Sequence, residues 1–183
     1  MSATTAVQIP TGTWSIDPIH SSIGFGVKHL GISTFRGDFK QAAGTITSEN
    51  DAIASIEGTV RVENLVTEEP GLTGHLHSPD FFDAGTFPEL TFKSTSVEQT
   101  GEDTLKVSGD LTLRGETRPV VLDAEIEGVG AGADGSTRIG LAATGVIERS
   151  QWGMTWNAPL ANGAFAVGER VKLTLHVEAS LQA

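Results

Sequence analysis

Residues 104–127 read TLKVSGDLTLRGETRPVVLDAEIE. Leu105, Val107, Gly109, Leu111 and Leu113 alternate with Lys106, Ser108, Asp110, Thr112 and Arg114. After Gly115-Glu116-Thr117, Val120, Leu122, Ala124 and Ile126 alternate with Val121, Asp123, Glu125 and Glu127. A period of two puts one set on each face of an extended chain, so both halves are half-buried strands. The short glycine-containing gap joins them as an antiparallel hairpin. One face is apolar and the other polar, which places the hairpin in a sheet that is wet on one side and dry on the other.

The same period recurs on either side. Ile23, Phe25, Val27 and His29 share one face of Ser22–His29, and Ile53–Val62 sets Ala54, Ile56, Gly58, Val60 and Val62 against Ser55, Glu57, Thr59 and Arg61. Thr13–Asp17, Phe35–Ile46, Leu90–Val97, Thr137–Ile147 and Glu169–Leu181 complete the series, the last with Val171, Leu173, Leu175, Val177 and Ala179 on one face. Gly128–Gly135 reads as a loop. The short connections imply about eight or nine antiparallel strands. Residues 1–12, small and polar, are expected to form a flexible terminus, and 13–183 a single domain. A closed barrel removes the exposed strand edges, and eight strands leave an interior that is filled by side chains or holds one small ligand. The expected fold is therefore all-β, a single extended eight-stranded antiparallel barrel with a short helical insert.

The insert is Leu76–Phe92, LHSPDFFDAGTFPELTF, with four of the chain's eight phenylalanines and two of its seven prolines. Its first ten residues do not alternate, so its rings must bury against or inside the sheet. It is a candidate lid or plug, or else simply closes one end of the barrel. Just before it, Glu68–His77 is the one segment suited to a helix, with Pro70 near its start and Pro79 ending it.

The formal net charge of −11 repels phosphate backbones and discourages adhesion to anionic membranes, and no Lys/Arg cluster along the sequence offsets it. Nucleic acid is not an expected partner. No apolar run reaches the ~20 residues of a membrane helix, so no stable membrane insertion is expected. MSATTAVQIPTGTW lacks the basic and apolar regions of a signal peptide, so a cytoplasmic location is expected. With no cysteine, disulfides, thiol nucleophiles and Cys-ligated metals are excluded.

Five histidines invite a search for chemistry. His75 and His77 would point the same way only on a strand, so they make a weak metal pair. His176 falls on a polar strand face. His29 continues an apolar face, as an interior histidine or as a contact to a ligand's polar head. Asp17, His20 and Ser21 are the only local acid, imidazole and hydroxyl, and a side-chain-held turn accounts for them. Arg149, beside Trp152 and Trp156, suits a structural ion pair or an anionic head group. No nucleophile elbow, phosphate loop or dinucleotide fingerprint is present, so no catalytic residue and no metal site is assigned.

Several motifs in order resemble the YceI family of lipid-binding, lipocalin-like proteins. They are Trp14–His29 (W-x-I-D-x-x-H-S-x-I-x-F-x-V-x-H), Gly37–Phe39, His75–Asp83 (H-L-x-S-x-D-F-F-D), Phe87–Phe92, Gly109–Val120, Arg149–Gly153 and Val171–Leu173. The resemblance implies a lipocalin-type barrel whose tunnel encloses a polyisoprenoid, quinone or similar fatty amphiphile, with no cofactor beyond that lipid. Onto this sequence it carries a lining of Phe25, Val27, Phe35, Phe39, Phe81, Phe82, Phe92, Leu111, Leu113 and Trp152, with His29 and Arg149 as head-group contacts. A homodimer is a further expectation. The competing reading is an enzyme acting on an apolar molecule through Asp17, His20 or His29, and Arg149. A third is a filled barrel with no cargo.

Overall fold

The computed structural model describes residues 7–183. Its strands are β1 (Gly12–Ile16), β2 (Ser22–His29), β3 (Ser33–Phe39), β4 (Ala43–Glu49), β5 (Ala52–Arg61), β6 (Leu65–Val66), β7 (Glu89–Gln99), β8 (Thr104–Leu113), β9 (Glu116–Ala131), β10 (Thr137–Glu148) and β11 (Val167–Leu181). One α-helix, α1 (Pro70–His77), and 3-10 turns at Val62–Asn64 and Arg149–Trp152 lie between them.

Several of these strands are halves of longer ones. β1 and β2 both run antiparallel along β11, and β4 and β3 run back along β1 and β2 in turn. β6 continues β5 onto β3. Counted this way the sheet has eight staves, each bonded to its neighbours in sequence, and β1–β11 pairing closes the ring. The protein is a closed eight-stranded antiparallel barrel, as the alternation predicts.

Three local departures have physical causes. The expected strand Phe35–Ile46 breaks in two because Gln41 adopts a left-handed conformation, φ 58°, which an extended strand cannot hold. Ala54, assigned to the inner face, is exposed. The register skips it between Thr47–Ser55 and Ser48–Ile53, and this bulge turns Ile53 inward to 4% exposure. The expected loop at Gly128–Gly135 is shorter, since β9 runs on to Ala131.

The two ends differ. At one end Trp14, Ile46 and Ala179 are fully buried with Ile139 around them. The Trp14 indole N–H donates to Ser48 Oγ at 2.8 Å, and Ser48 Oγ donates to the Pro10 carbonyl at 2.6 Å. Ile9, at 2% exposure, packs into this plug. Of the terminus expected to be flexible, residues 1–6 lie outside the described residues, while Ile9 is core. At the opposite end the β2–β3 turn, the β8–β9 turn and two long connections, 67–88 and 149–166, gather around the mouth. α1 opens the first of these connections. Glu69 caps it by accepting from the Leu72 amide at 2.8 Å, Pro70 occupies its first turn, and it buries only Leu76.

Candidate functional site

Between the plug and the cap lies a cavity with about 190 Å³ of room for the centres of water-sized atoms, where one water needs about 10–15 Å³. Its walls are the inward faces of the staves, and their exposure distinguishes a void from a packed core. Phe25, Val27, Phe35, Leu90, Phe92, Leu111, Val171, Leu173, Leu175 and Val177 all point inward yet stay partly exposed. Inward residues at the plugged end, such as Val107 at 2% and Ile139 at 1%, are sealed. The filled-barrel expectation therefore holds for the lower end only.

Of the ten lining residues expected, nine border the cavity: Phe25, Val27, Phe35, Phe39, Phe81, Phe82, Phe92, Leu111 and Leu113. Trp152 does not. It is 1% exposed and donates its indole N–H to the Leu111 carbonyl at 3.0 Å, so it packs behind the wall. Ile23, Val60, Leu76, Leu90, Val120, Leu122, Met154 and the inward row of β11 were missed. The β11 row carried a usable signal, the Val171–Val177 alternation, which matches that of the assigned strands.

The phenylalanine-rich insert covers the cavity as a fixed cap. Phe82 is 7% exposed and meets Phe39 edge-on, ring centroids 5.3 Å apart, and Phe25 at 5.9 Å. Its backbone is tied down locally: Phe82 N–H donates to Leu76 O, Asp83 N–H to Ser78 O and Ala84 N–H to His77 O, each at 2.9 Å. From the β8–β9 turn, Arg114 donates to the carbonyls of Pro79 and Phe81. Phe81, His75 and Trp156 then stack against one another, with centroids 4.7–5.4 Å apart, joining the insert to the 149–166 connection.

Arg149 is the single ionisable group in the cavity wall among the described residues, and it is 4% exposed. The structural ion pair expected for it is absent, since no carboxylate contacts it among the described residues. Its guanidinium instead donates to Gly168 O at 2.8 Å, Met154 O at 2.8 Å and Trp156 O at 2.9 Å, with a longer bond to Val167 O at 3.4 Å. Burial lowers its pKa, opposed by the field of Glu169. Arg149 thus staples the cavity-end connection to the start of β11, and most of its donors are already engaged.

The other polar candidates lie apart. His29 is exposed at the end of β2 and does not border the cavity, because the strand reaches the rim one row after Val27. Asp17 and His20 do meet, Nδ1 to carboxylate at 2.8 Å, but on the outer surface. With Glu178 they form the one cluster of three possible metal ligands among the described residues. Arg138 fills it, donating to Asp17 at 2.9 Å and Glu178 at 2.7 Å, so it is an ion-pair network. His75 contacts Asp80 and His77 contacts the Val62 carbonyl, so the two imidazoles do not converge. His176 is exposed. No helix among the described residues is long and apolar enough to cross a membrane.

A family model described as a YceI-like domain matches residues 14–179. The chain belongs to the YceI-like family. The match reaches into all eight staves and the insert of this YceI-like barrel and takes in Trp14, Ile46, Ser48 and Ala179 of the plug, but not Ile9. A UPF0312 protein of Vibrio cholerae is 35% identical over 161 residues, covering 87% of this chain and 81% of the relative. One from Staphylococcus aureus is 32% identical over 171 residues, covering 92% and 97%. Among solved structures, the YceI protein of Campylobacter jejuni is 31% identical with a TM-score of 0.72, covering 85% of this YceI-like chain and 90% of its own. A polyisoprenoid binding domain from Saccharophagus degradans, implicated in plant cell wall breakdown, has the same fold at a TM-score of 0.72 and 13% identity, covering 94% and 100%.

Proposed function

We propose that this barrel binds an isoprenoid-type amphiphile, such as a polyprenyl chain or quinone, and carries or stores it without transforming it. The observation that carries the reading is the cavity wall: partly exposed aliphatic and aromatic side chains around an open space, with Arg149 the sole ionisable member among the described residues. Burying a hydrocarbon chain against such a wall gains about 25 cal/mol per Å² without any charged contact. The cavity borders β11 from Val167 to Val177, roughly 30 Å of strand, which suits a long, narrow chain. The polyisoprenoid-binding domain that shares the fold supports the class of ligand. Arg149 supplies positive potential near the mouth, which favours a polar or anionic head there. A binding role is favoured over turnover because Asp17, His20, His29 and Arg149 do not converge on a common point in the cavity, as acid, base and anion clamp would have to.

Mass spectrometry of an organic extract of the purified protein tests this. A prenyl or quinone lipid near one per chain is the expected result. An extract free of lipid, together with delipidated protein that takes up no prenyl alcohol or quinone, would overturn it.

A further inference from the structure

Twenty-three acidic residues are spread through this chain, yet 18–37 and 149–168, twenty residues each, contain none. The fold brings parts of these two segments together at the mouth. The Leu30 amide donates to the Ala166 carbonyl at 2.8 Å, and a Pro159–Phe165 bridge folds the 158–166 connection into a small hairpin beside the β2–β3 turn. Three of the seven exposed large hydrophobics among the described residues project here: Leu30 at 39%, Ile32 at 81% and Phe165 at 60% exposure. Scattered exposed apolar residues need no explanation, but three on adjoining turns beside an apolar cavity form a patch.

A basic collar lies just below this lip. Lys172, Gly26 and Arg36 stand in one lateral row across β11, β2 and β3, and Lys28 is one step nearer the mouth. All three cations are exposed, and none takes part in an ion pair among the described residues. Gly26 places no side chain of its own between Lys172 and Arg36, and only the Thr34 methyl leans over it. The boundary of the collar is marked where acids resume, at Asp38 beside Lys40, at Glu169, whose carboxylate accepts from the Ser150 amide at 2.9 Å, and at Glu148 beside Arg170. At the same end, the α1 connection, which stacks His75 and Phe81 on Trp156, carries Glu68, Glu69, Asp80 and Asp83.

We propose that this lip and collar dock the mouth on an anionic lipid bilayer. Apolar tips entering the headgroup region and a cationic ring facing anionic phosphates are the two elements of interfacial binding. The acidic α1 connection is repelled by the same surface, so the barrel leans towards the Leu30–Ile32 turn and the mouth meets the bilayer at a tilt. The charge of −11 on the whole chain keeps the contact brief, since only groups within about 8 Å of the surface act on it at physiological salt. The proposal rests on the cargo reading above for its purpose, because a membrane lipid must leave a membrane to enter the cavity. Its evidence, however, is separate from the cavity.

Flotation of the full chain with vesicles of phosphatidylcholine, with and without phosphatidylglycerol, tests it, with lipid content measured on the same preparations. Binding to the phosphatidylglycerol vesicles that weakens with salt is expected. Ile32→Asp, and Lys28→Glu combined with Arg36→Glu, should each weaken it about tenfold or more. Lys106→Glu, on the outer face of β8, should change it little. No vesicle binding, or equal binding by all variants, overturns docking even if the protein carries lipid. If Ile32→Asp instead dissociates a self-associated form in size-exclusion chromatography and leaves vesicle binding unchanged, the lip is an interface between copies and the proposal falls. Vesicle binding by a protein that neither holds nor takes up prenyl lipid would sink the cargo reading alone.

Discussion

The ring of Phe92 rests on the backbone of Gly109, where a side-chain carbon would collide with Cζ and Cε2 of the ring and with the Lys93 carbonyl. Phe25 sits in the same manner on Gly37, its registered partner. Two cavity-lining rings therefore lie back against glycines of the adjacent strands, and the open space in front of them exists because those positions have no Cβ. Gly109→Ala should tilt Phe92 into the cavity, costing about 1–3 kcal/mol and lowering lipid content. The double variant Gly109→Ala with Phe92→Leu should recover part of both. Urea denaturation and extraction of each variant check this, and additive effects would show that the two residues do not interact.

Phe92 also stands at the floor of the cavity. Beneath it is a smaller void of about 60 Å³, and Ile56, Phe92, Leu122, Leu175 and Val177 border both spaces. Phe92→Ala should merge them and shift the bound lipid to a longer chain, read directly from the mass spectrum of the extract. An unchanged chain-length distribution would show that something other than the floor sets the length.

Arg149 holds carbonyls of the 149–166 connection and of β11 with a planar fork. Lysine cannot reproduce that geometry, and removing the fork leaves buried acceptors unpaired. Arg149→Lys and Arg149→Met should both destabilise the protein, by roughly 2–4 kcal/mol in denaturant unfolding. Full stability of the lysine variant would mean that the charge alone matters and not the carbonyl contacts.

At the plugged end Ser48 Oγ is the acceptor for Trp14 and the donor to Pro10. Ser48→Ala strands both partners in a site where Trp14 is fully buried, and about 1–3 kcal/mol of stability should be lost. Ser48→Cys, which keeps a weak donor and acceptor, should lose less. Thermal melts of the two variants in parallel give the comparison.

The Asp17–His20 contact gives the stability a pH dependence. The hydrogen bond from His20 is the largest cause holding the Asp17 carboxyl below its ordinary value of 3.8, and the bond to Asp17 raises His20 above its ordinary 6.5. A histidine raised in the folded state contributes its full stabilisation below 6.5 and loses it as pH climbs through the folded value. The Asp17 contribution is present above 3.8 and lost as pH falls towards the lower folded value. Wild type should therefore melt higher than His20→Gln near about pH 5, with the gap narrowing by about pH 9. A gap independent of pH would show that His20 acts by packing alone.

Much of the barrel could be read from the sequence because period-two alternation is written residue by residue, and Leu105–Ile126 shows it nearly without interruption. The breaks could not be read. Gln41 and Ala54 are ordinary residues whose conformations are set by how neighbouring staves close the ring. The family motifs found the cavity wall on β2, β3, β7 and β8, but alternation alone does not separate a packed inner face from a hollow one. Phe25 and Phe39 lie on equivalent faces, and only the assembled barrel leaves one partly exposed and the other sealed. Trp152 was misplaced, and the ion pair expected for Arg149 does not form, for a related reason. Both are amphipathic, and whether the polar end meets a ligand, an acid or a backbone carbonyl depends on a connection whose path sequence does not reveal.

The plug built from Ile9, Trp14 and Ser48 makes the barrel a flask with one neck. A molecule that enters must leave by the route it came, tail first in and head first out, and an incoming molecule cannot push it through from behind. Replacement of one occupant by another must therefore pass through an empty barrel. The rate of swapping should be independent of how much competing lipid is offered and should follow only the rate at which the resident molecule withdraws.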